Sequence, residues 1–560
     1  MILKILEDII KEELNKLNYE VDVVVTKSNR LDLCDYQFNG IFKLSSIYHK
    51  KPVEIGEEIV DSINDRKDFE HYFKKVEFAS PGFINITISD ILINECLTRM
   101  NCMDKFGVEQ DSTLTYVLDY GGPNIAKPLH VGHLRPAIIG ESIKRILNFK
   151  GCKTIADVHF GDFGLQMGQV IYGIKQKNIK LEDLTLNDLN TIYPEISKLC
   201  KEDKDVKNMC ATLEKQMQDG DKELEKYYDK IFELSSNDIK EIYKYLDIDF
   251  DLWYGEMSSR KYLPFVEEKI KDIAYISDGA TVIDVKEEND KKELPPLIFK
   301  KSDGAYLYGS TDMATIYERE EDFNPDYILY VADLRQDLHF KQVFRASLKS
   351  KITDAKLEHL GFGTINGTDG KPFKTRSGET PKLRDLFNEV KELFISKKEE
   401  NSSMNEEDID KIVNAILKFA DLQNNREKDY IFDIKKFSEV VGKTGPYVLY
   451  TYLRINKIVK DMEITSLNNI VYNEFDRNLR IKLLDLHSIV DNAYKTRMPS
   501  FIADYVYDLC MIINSFYQNN HINNLDDIEK KNNWIYVLNL SNRILKEMLN
   551  ILVIDIPSVM

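Results

Sequence analysis

One stretch limits the fold of this chain more than any other: TYVLDYGGPNIAKPLHVGHLRPAIIGESIKRILNFKG, residues 115–151. Four of its first six residues are β-branched or aromatic, which suits a short strand. A loop rich in glycine and proline follows. LRPAIIGESIKRILNFK then has helical periodicity and stops at Gly151. TIADVHF reads as the next strand, and GDFG as the turn after it. Strand, loop, helix and strand in that order begin a doubly wound nucleotide-binding fold.

At 560 residues the chain is too long for one hydrophobic core, and three or four domains are expected. Residues 1–110 read as a small α+β unit. In it, VEFASPGFINITIS is an alternating strand with Pro81-Gly82 as its turn. The catalytic α/β domain is placed at 111–385, with a charged helical insertion near 180–250. Further β-type segments are expected at TVIDV, AYLYGSTD and DYILYVAD, so that Asp312 ends a strand. From about 385 nearly everything is helix-forming: a helical connector at 386–435, then an all-α bundle at 436–560.

Lys plus Arg number 76 and Asp plus Glu 94, a net charge of −18. That balance argues against a nucleic-acid partner unless the basic groups are gathered locally. The seven cysteines have no CxxC spacing, so no zinc knuckle, disulfide framework or tightly bound protein metal is expected. They suit a reducing cytoplasm. The amphipathic, acid-bearing start MILKILEDIIKEELNKL does not read as a signal peptide, and no segment reads as a membrane span.

The sharpest motif is PNIAKPLHVGHLR, residues 123–135. It sets His130 and His133 three residues apart at a helix start, so both imidazoles face one way. The helix N-terminus offers free N–H groups and a positive end to phosphate. Gly132, without a side chain, lets a purine lie against the backbone. Two surface histidines in a loop would be the plainer account, but here the pair follows a strand and opens a helix.

HVGH is the HxGH signature of class I aminoacyl-tRNA synthetases, and GGPNIAKPLHVGHLRPAIIGESIKRIL closely resembles the arginyl-tRNA synthetases. The resemblance continues in DVHFGDFGLQMG, YLYGSTD, RQDLH, GKPFKTRSG, ADLQNNREKDYIFD, GPYVLYTYLR and ADYVYDL. It reaches back to DYQFN and GFINI, and so covers nearly the whole chain. It implies a multidomain α/β protein: a Rossmann-type class I synthetase catalytic domain, an N-terminal α+β domain that binds the tRNA elbow, and a C-terminal all-α anticodon-binding bundle of DALR type. The implied reaction joins L-arginine to tRNA(Arg) through an arginyl-adenylate, with ATP and Mg2+ as the substrate complex. A cytoplasmic monomer is expected.

The resemblance also assigns residues. His130, His133 and Lys127 are the expected catalytic groups, and His130, Gly132, His133, Lys371, Lys374 and Arg376 the expected ATP site. The strict KMSKS pattern is absent, since Thr375 stands at the second lysine position. A guanidinium calls for carboxylates in planar, paired geometry. Asp312, Glu256 and Tyr308 stand at the positions that hold the arginine side chain, Asn124 at the one that binds its amino end, and Gln336 at a further polar contact. Tyr447, Tyr450 and Arg454 are the expected tRNA contacts; like Tyr452, they lie at helical spacing that suits packing equally well. Two departures stand out: Gly121-Gly122 where the family often has serines, and Val158 and Phe163 around the GDFG turn. A paralogue that binds tRNA without catalysis, and a synthetase of the same fold for another amino acid, are the rival readings. Pyrophosphate exchange and amino-acid selectivity separate them.

Overall fold

The computed structural model describes residues 1–162, 164–373, 381–397, 404–460, 462, 467–522 and 525–560. Contacts divide the chain into two units. One comprises residues 110–447, 496–503 and 549–560. Its centre is a four-stranded parallel sheet ordered Lys356–His359, Tyr327–Val331, Thr115–Tyr120, Lys153–Asp157. The first strand in sequence thus lies inside the sheet, with later strands added on either side. Strand order reverses there, which opens a crevice at the carboxyl ends.

TYVLDY forms a strand because Tyr116, Val117, Leu118 and Tyr120 all find buried positions. The following helix, Leu134–Phe149, is buried along most of its length. Gly140 lies directly under the Tyr120 ring, an approach no side chain would permit. Arg135, from the same motif, is only 1% exposed. It pairs with Asp421 at 3.1 Å and donates to the Gly363 carbonyl at 2.6 Å, so it braces the fold instead of meeting a ligand.

The charged stretch after the GDFG turn is helical as expected, with helices Leu186–Glu202, Lys204–Gln218 and Lys222–Tyr245. Thr185, Asp203 and Asp221 cap their N-termini.

The segment read as the strand AYLYGSTD is mostly helix, Tyr308–Phe323, and Asp312 sits on it instead of ending a strand. Tyr306 alone keeps an isolated bridge, to Lys300. Ser310 starts the helix: its hydroxyl accepts from Leu307 N–H and donates to the Phe299 carbonyl. Met313, Ala314 and Ile316 then bury one face, and that packing outweighs the β-propensity of AYLY. The helical region after 385 also carries one short exception, where Tyr430–Ile431 pairs in parallel with Ile365–Asn366.

The other unit comprises residues 1–109, 448–495 and 504–548. It contains a four-stranded antiparallel sheet ordered Val25–Lys27, Tyr36–Phe38, Phe83–Ile88, Phe73–Ala79. VEFASPGFINITIS is therefore a hairpin of two strands turning at Pro81-Gly82. Buried Arg480 ties this part to the helical part, bonding Asp476 at 2.6 Å and Asn94 at 2.5 Å. Among the described residues no helix is long and apolar enough to cross a membrane.

Candidate active site

The glycine-rich loop and the GDFG turn are zipped together at the carboxyl end of the sheet. Ile125 N–H donates to the Gly161 carbonyl and Gly161 N–H to the Pro123 carbonyl, each at 3.1 Å. Asn124 lies over Gly161, where an added Cβ would come within 2.5 Å of its Oδ1. The Gly121-Gly122 departure has a steric cause. Gly121 has φ +73° and its carbonyl accepts from the Tyr243 hydroxyl. A Cβ at Gly122 would stand 2.6 Å and 2.9 Å from the carbonyl oxygens of His159 and Val158. A serine here needs the loop to move.

The two signature imidazoles face each other, with ring centroids 3.9 Å apart. His130 caps the turn Val131–His133, its Nδ1 accepting from Gly132 N–H at 3.1 Å. His133 Nδ1 accepts from His130 N–H, also at 3.1 Å. Because each Nδ1 accepts a backbone proton, each ring carries its own proton on Nε2 and is neutral. Burial lowers both pKa values, His133 to about 3, and the neighbouring Lys127 charge acts in the same direction. The pair is thus a set of two neutral donors. Gly132 is required by the motif itself, since a Cβ there would lie 2.9 Å from the His130 ring.

Lys127 is half-buried, with its ammonium 4.6 Å from the centre of the Tyr193 ring on the insertion. Lys371 is exposed on the turn in which Gly367 N–H bonds the Lys371 carbonyl. Lys374 and Arg376 lie outside the described residues, as does Phe163. The segment following that loop is anchored on the signature: Val131 N–H bonds the Pro381 carbonyl and Leu383 N–H the Leu129 carbonyl.

Glu256 opens the short helix Glu256–Ser259, and its N–H bonds the Phe160 carbonyl at 3.1 Å. Asp162 of the GDFG turn holds the neighbouring backbone, accepting from Met257 N–H at 3.0 Å and from the Tyr228 hydroxyl at 2.6 Å. Glu256 Oε2 is shut off from solvent without a partner. Burial, and then the charge of Asp312, lift its pKa to about 8. Tyr308 is 61% exposed, and the charges of Glu256 and Asp312 both act on its hydroxyl. Asp312 accepts from His339 Nε2 at 2.5 Å. Gln336 is exposed on the turn Leu334–Gln336, which leads into the helix that carries His339.

Sequence reasoning missed the floor of this site. Arg319 Nη2 lies 2.7 Å from both Asp119 and Asp157, the acids near the ends of two neighbouring strands. His159 Nδ1 is 3.3 Å from Asp157, and its Nε2 is 3.4 Å from Thr315. Burial opposes charge on His159, but Asp157 and Asp119 overcome it and raise the pKa to about 9. Asp119, Asp157 and His159 are close enough together to hold a cation. The Arg319 guanidinium already provides one. Glu214 of the insertion was missed as well; burial lifts its pKa to about 7, and its charge acts on Tyr308. A usable signal did exist. Tyr308, Asp312, Thr315 and Arg319 stand at spacings of four, three and four, the stripe of one helix face.

Of the expected tRNA contacts, all on the helix Gly445–Val459, Tyr450 is exposed and Tyr447 half-buried. Arg454 stacks on Tyr517 at 4.3 Å. Tyr452 is only 6% exposed and packs in the core, so the helical spacing there serves packing.

Residues 93–434 match the family model for the catalytic domain of class I (R) tRNA synthetases. Residues 4–88 match that for the arginyl tRNA synthetase N-terminal domain, and 448–560 that for the DALR anticodon binding domain. The arginine–tRNA ligase of Alkaliphilus oremlandii is 39% identical over 96% of both chains. That of Agathobacter rectalis is 38% identical over 95% of both. The crystal structure of arginyl-tRNA synthetase from Plasmodium falciparum superposes with a TM-score of 0.83 at 27% identity, covering 100% of this chain and 99% of that one. The Thermus thermophilus arginyl-tRNA synthetase structure, 18% identical, shares the fold with a TM-score of 0.81 over the full length of both. The chain belongs to the arginyl-tRNA synthetases, the ligases that attach arginine to tRNA(Arg).

Proposed function

We propose how this chain divides that reaction among its residues. ATP, as its magnesium complex, lies over Gly132 with its phosphates toward the Nε2–H donors of His130 and His133. Lys127 and Lys371 supply positive charge, together with Lys374 and Arg376. The guanidinium of arginine docks between Glu256 and Asp312 with Tyr308 beside it, Asn124 takes its amino end, and Gln336 makes a further polar contact. The carboxylate attacks the α-phosphorus in line, forming arginyl-adenylate and releasing diphosphate. The terminal ribose hydroxyl of the tRNA then attacks the acyl carbon, and AMP leaves. Positioning and stabilisation of charge at the α-phosphate do the catalytic work. Two neutral donors suit a centre whose charge is already opposed by magnesium and lysines.

The observation that carries this reading is Glu256. A carboxyl with one oxygen buried and without a hydrogen-bond partner among the described residues, lifted to about 8 by burial and by a second acid, has no cation bonded to it. Guanidinium, planar and permanently charged, supplies one. The residue ranges 1–110, 111–385, 386–435 and 436–560 are assigned to tRNA-elbow binding, catalysis, stem contact and anticodon binding, with Tyr447, Tyr450 and Arg454 among the tRNA contacts. A cytoplasmic monomer is the associated reading; the seven free thiols support its reducing compartment.

The test is aminoacylation with arginine, citrulline and lysine, on wild-type protein and on Asp312→Asn. Arginine should be the only good substrate, and Asp312→Asn should raise its KM at least tenfold while leaving the KM for ATP nearly unchanged. Citrulline matching arginine would overturn the acid pocket.

A further inference from the structure

Asp312 has two carboxylate oxygens, and one of them is taken. His339 sits in the first turn of the helix Asp337–Lys349, and its Nε2 lies 2.5 Å from Asp312 Oδ2. The two side chains are 35% and 24% exposed, so both remain within reach of a ligand and of solvent protons. An edge contact with Phe340, ring centres 5.6 Å apart, holds the imidazole in place. The other groups nearby do not replace it. Arg335, from the same RQDLH motif, is committed to Asp333 through two bonds of 2.6 and 2.8 Å. Glu256 and Tyr330 face Asp312 from two other elements and Tyr308 from its own helix, and all three are acids or phenols. His159 and Asp162 act on Glu256, not on His339. On the side away from the pocket, Asp337 bonds His359 at 3.5 Å.

We infer that His339 is a positioning residue that sets the charge of the arginine pocket: it pins one oxygen of Asp312, turns the other to the ligand, and when protonated cancels the charge that draws the guanidinium in. This rests on the reading of Asp312 as a guanidinium ligand. With His339 protonated, the His339–Asp312 pair is neutral. With it neutral, the pair carries one negative charge and still keeps the hydrogen bond. Arginine binds the second state better, so binding expels the imidazole proton to solvent. The hydrogen bond to Asp312 raises the pKa of His339 against the effect of burial. Affinity for arginine should therefore strengthen as pH rises through that titration, by up to tenfold per pH unit on its acid side. RQDLH thus contributes a residue beyond Gln336 to arginine selection.

The experiment is calorimetric titration of arginine into the full-length protein at pH 6.5, in two buffers of different ionisation enthalpy. It yields protons released per arginine bound. Wild-type protein should release more protons per arginine than His339→Asn, which keeps a donor and cannot titrate; Glu256 provides the release common to both. His339→Gln serves if the asparagine variant does not fold, and unchanged ATP affinity certifies either. The steady-state KM for arginine should lose part of its pH dependence in the variant, with kcat at pH 8 little altered. Equal proton release in variant and wild type, with Asp312→Asn still impaired for arginine, would overturn the role of His339 alone. Unimpaired arginine binding by Asp312→Asn would instead remove the reading beneath it.

Discussion

Replacing Arg319 with methionine tests whether the floor of the site is held together by one buried cation. Arg319 is 2% exposed, and its Nη2 serves Asp119 and Asp157 alone, at 2.7 Å each. Methionine keeps most of the volume and removes the charge, which leaves two like-charged carboxylates facing each other. Breaking a buried pair in this way costs about 3–5 kcal/mol. Two features pull the expectation toward about 3 kcal/mol: His159 remains as a second cation, and Asp119 is 17% exposed. Arg319→Lys should recover more than half of the loss, because a single donor atom makes both ion pairs in the native protein and Nε and Nη1 are unpartnered.

Urea unfolding followed by tryptophan emission reads this directly. The chain has two tryptophans, and Trp253 packs beside the site against Phe160 and Phe250. Trp534 belongs to the other unit, so a Trp534→Phe background makes Trp253 the sole reporter. The pH dependence gives a second check. The raised pKa of His159 means that its contribution to stability is complete below its unfolded value near 6.5 and lost as pH climbs through about 9. In Arg319→Met, His159 is the remaining cation beside both acids, so the alkaline loss should be larger than in wild type. A variant within about 1 kcal/mol of wild type at pH 7, against the 3–5 expected of a broken buried pair, would refute the argument.

Three further outcomes follow from the site's geometry. His130→Ala and His133→Ala should each lower ATP–diphosphate exchange, run with arginine and tRNA(Arg) present, by about 2–4 kcal/mol of transition-state stabilisation; near-normal exchange in either folded variant would refute the donor role. Because both imidazoles have lowered pKa values, any acid limb these rings give that exchange should lie below the ordinary imidazole range. Gly122→Ser should lose about 1–3 kcal/mol through overpacking against the His159 and Val158 carbonyls and should raise the KM for arginine; unchanged stability and KM would show that the loop yields freely.

The strand, loop and helix around the signature were legible because their signals are local. β-Branched and aromatic residues fill TYVLDY, and the helix start carries its own caps in His130 and His133. The helix Tyr308–Phe323 was misread because AYLY carries β-propensity, while its start depends on Ser310 reaching the Phe299 carbonyl, a partner eleven residues back. Arg135 closes the signature string, yet its partner Asp421 is 286 residues away, and no local pattern shows that bond. The same holds for Arg319 with Asp119 and Asp157. Charges committed to one another and charges awaiting a ligand look alike in sequence.

What separates those two kinds is the source of the cation. Asp119 and Asp157 meet Arg319 and His159 from within the chain, so the floor is neutralised and offers no vacancy for an outside charge. Glu256 and Asp312 lie a turn or two along from that network, and the chain supplies them with much less. Glu256 Oε2 has no partner among the described residues, and Asp312 has only an imidazole that can give up its charge. Buried Glu256, held this way, favours its neutral form until a cation arrives, so the free pocket avoids the cost of two close, desolvated charges. A guanidinium reverses that balance. Citrulline has nearly the same shape and no charge, so it offers Asp312 no counter-ion and leaves Glu256 in its neutral form. The selectivity therefore comes from the missing internal counter-ion, and the committed floor next to it keeps the two acids from finding one.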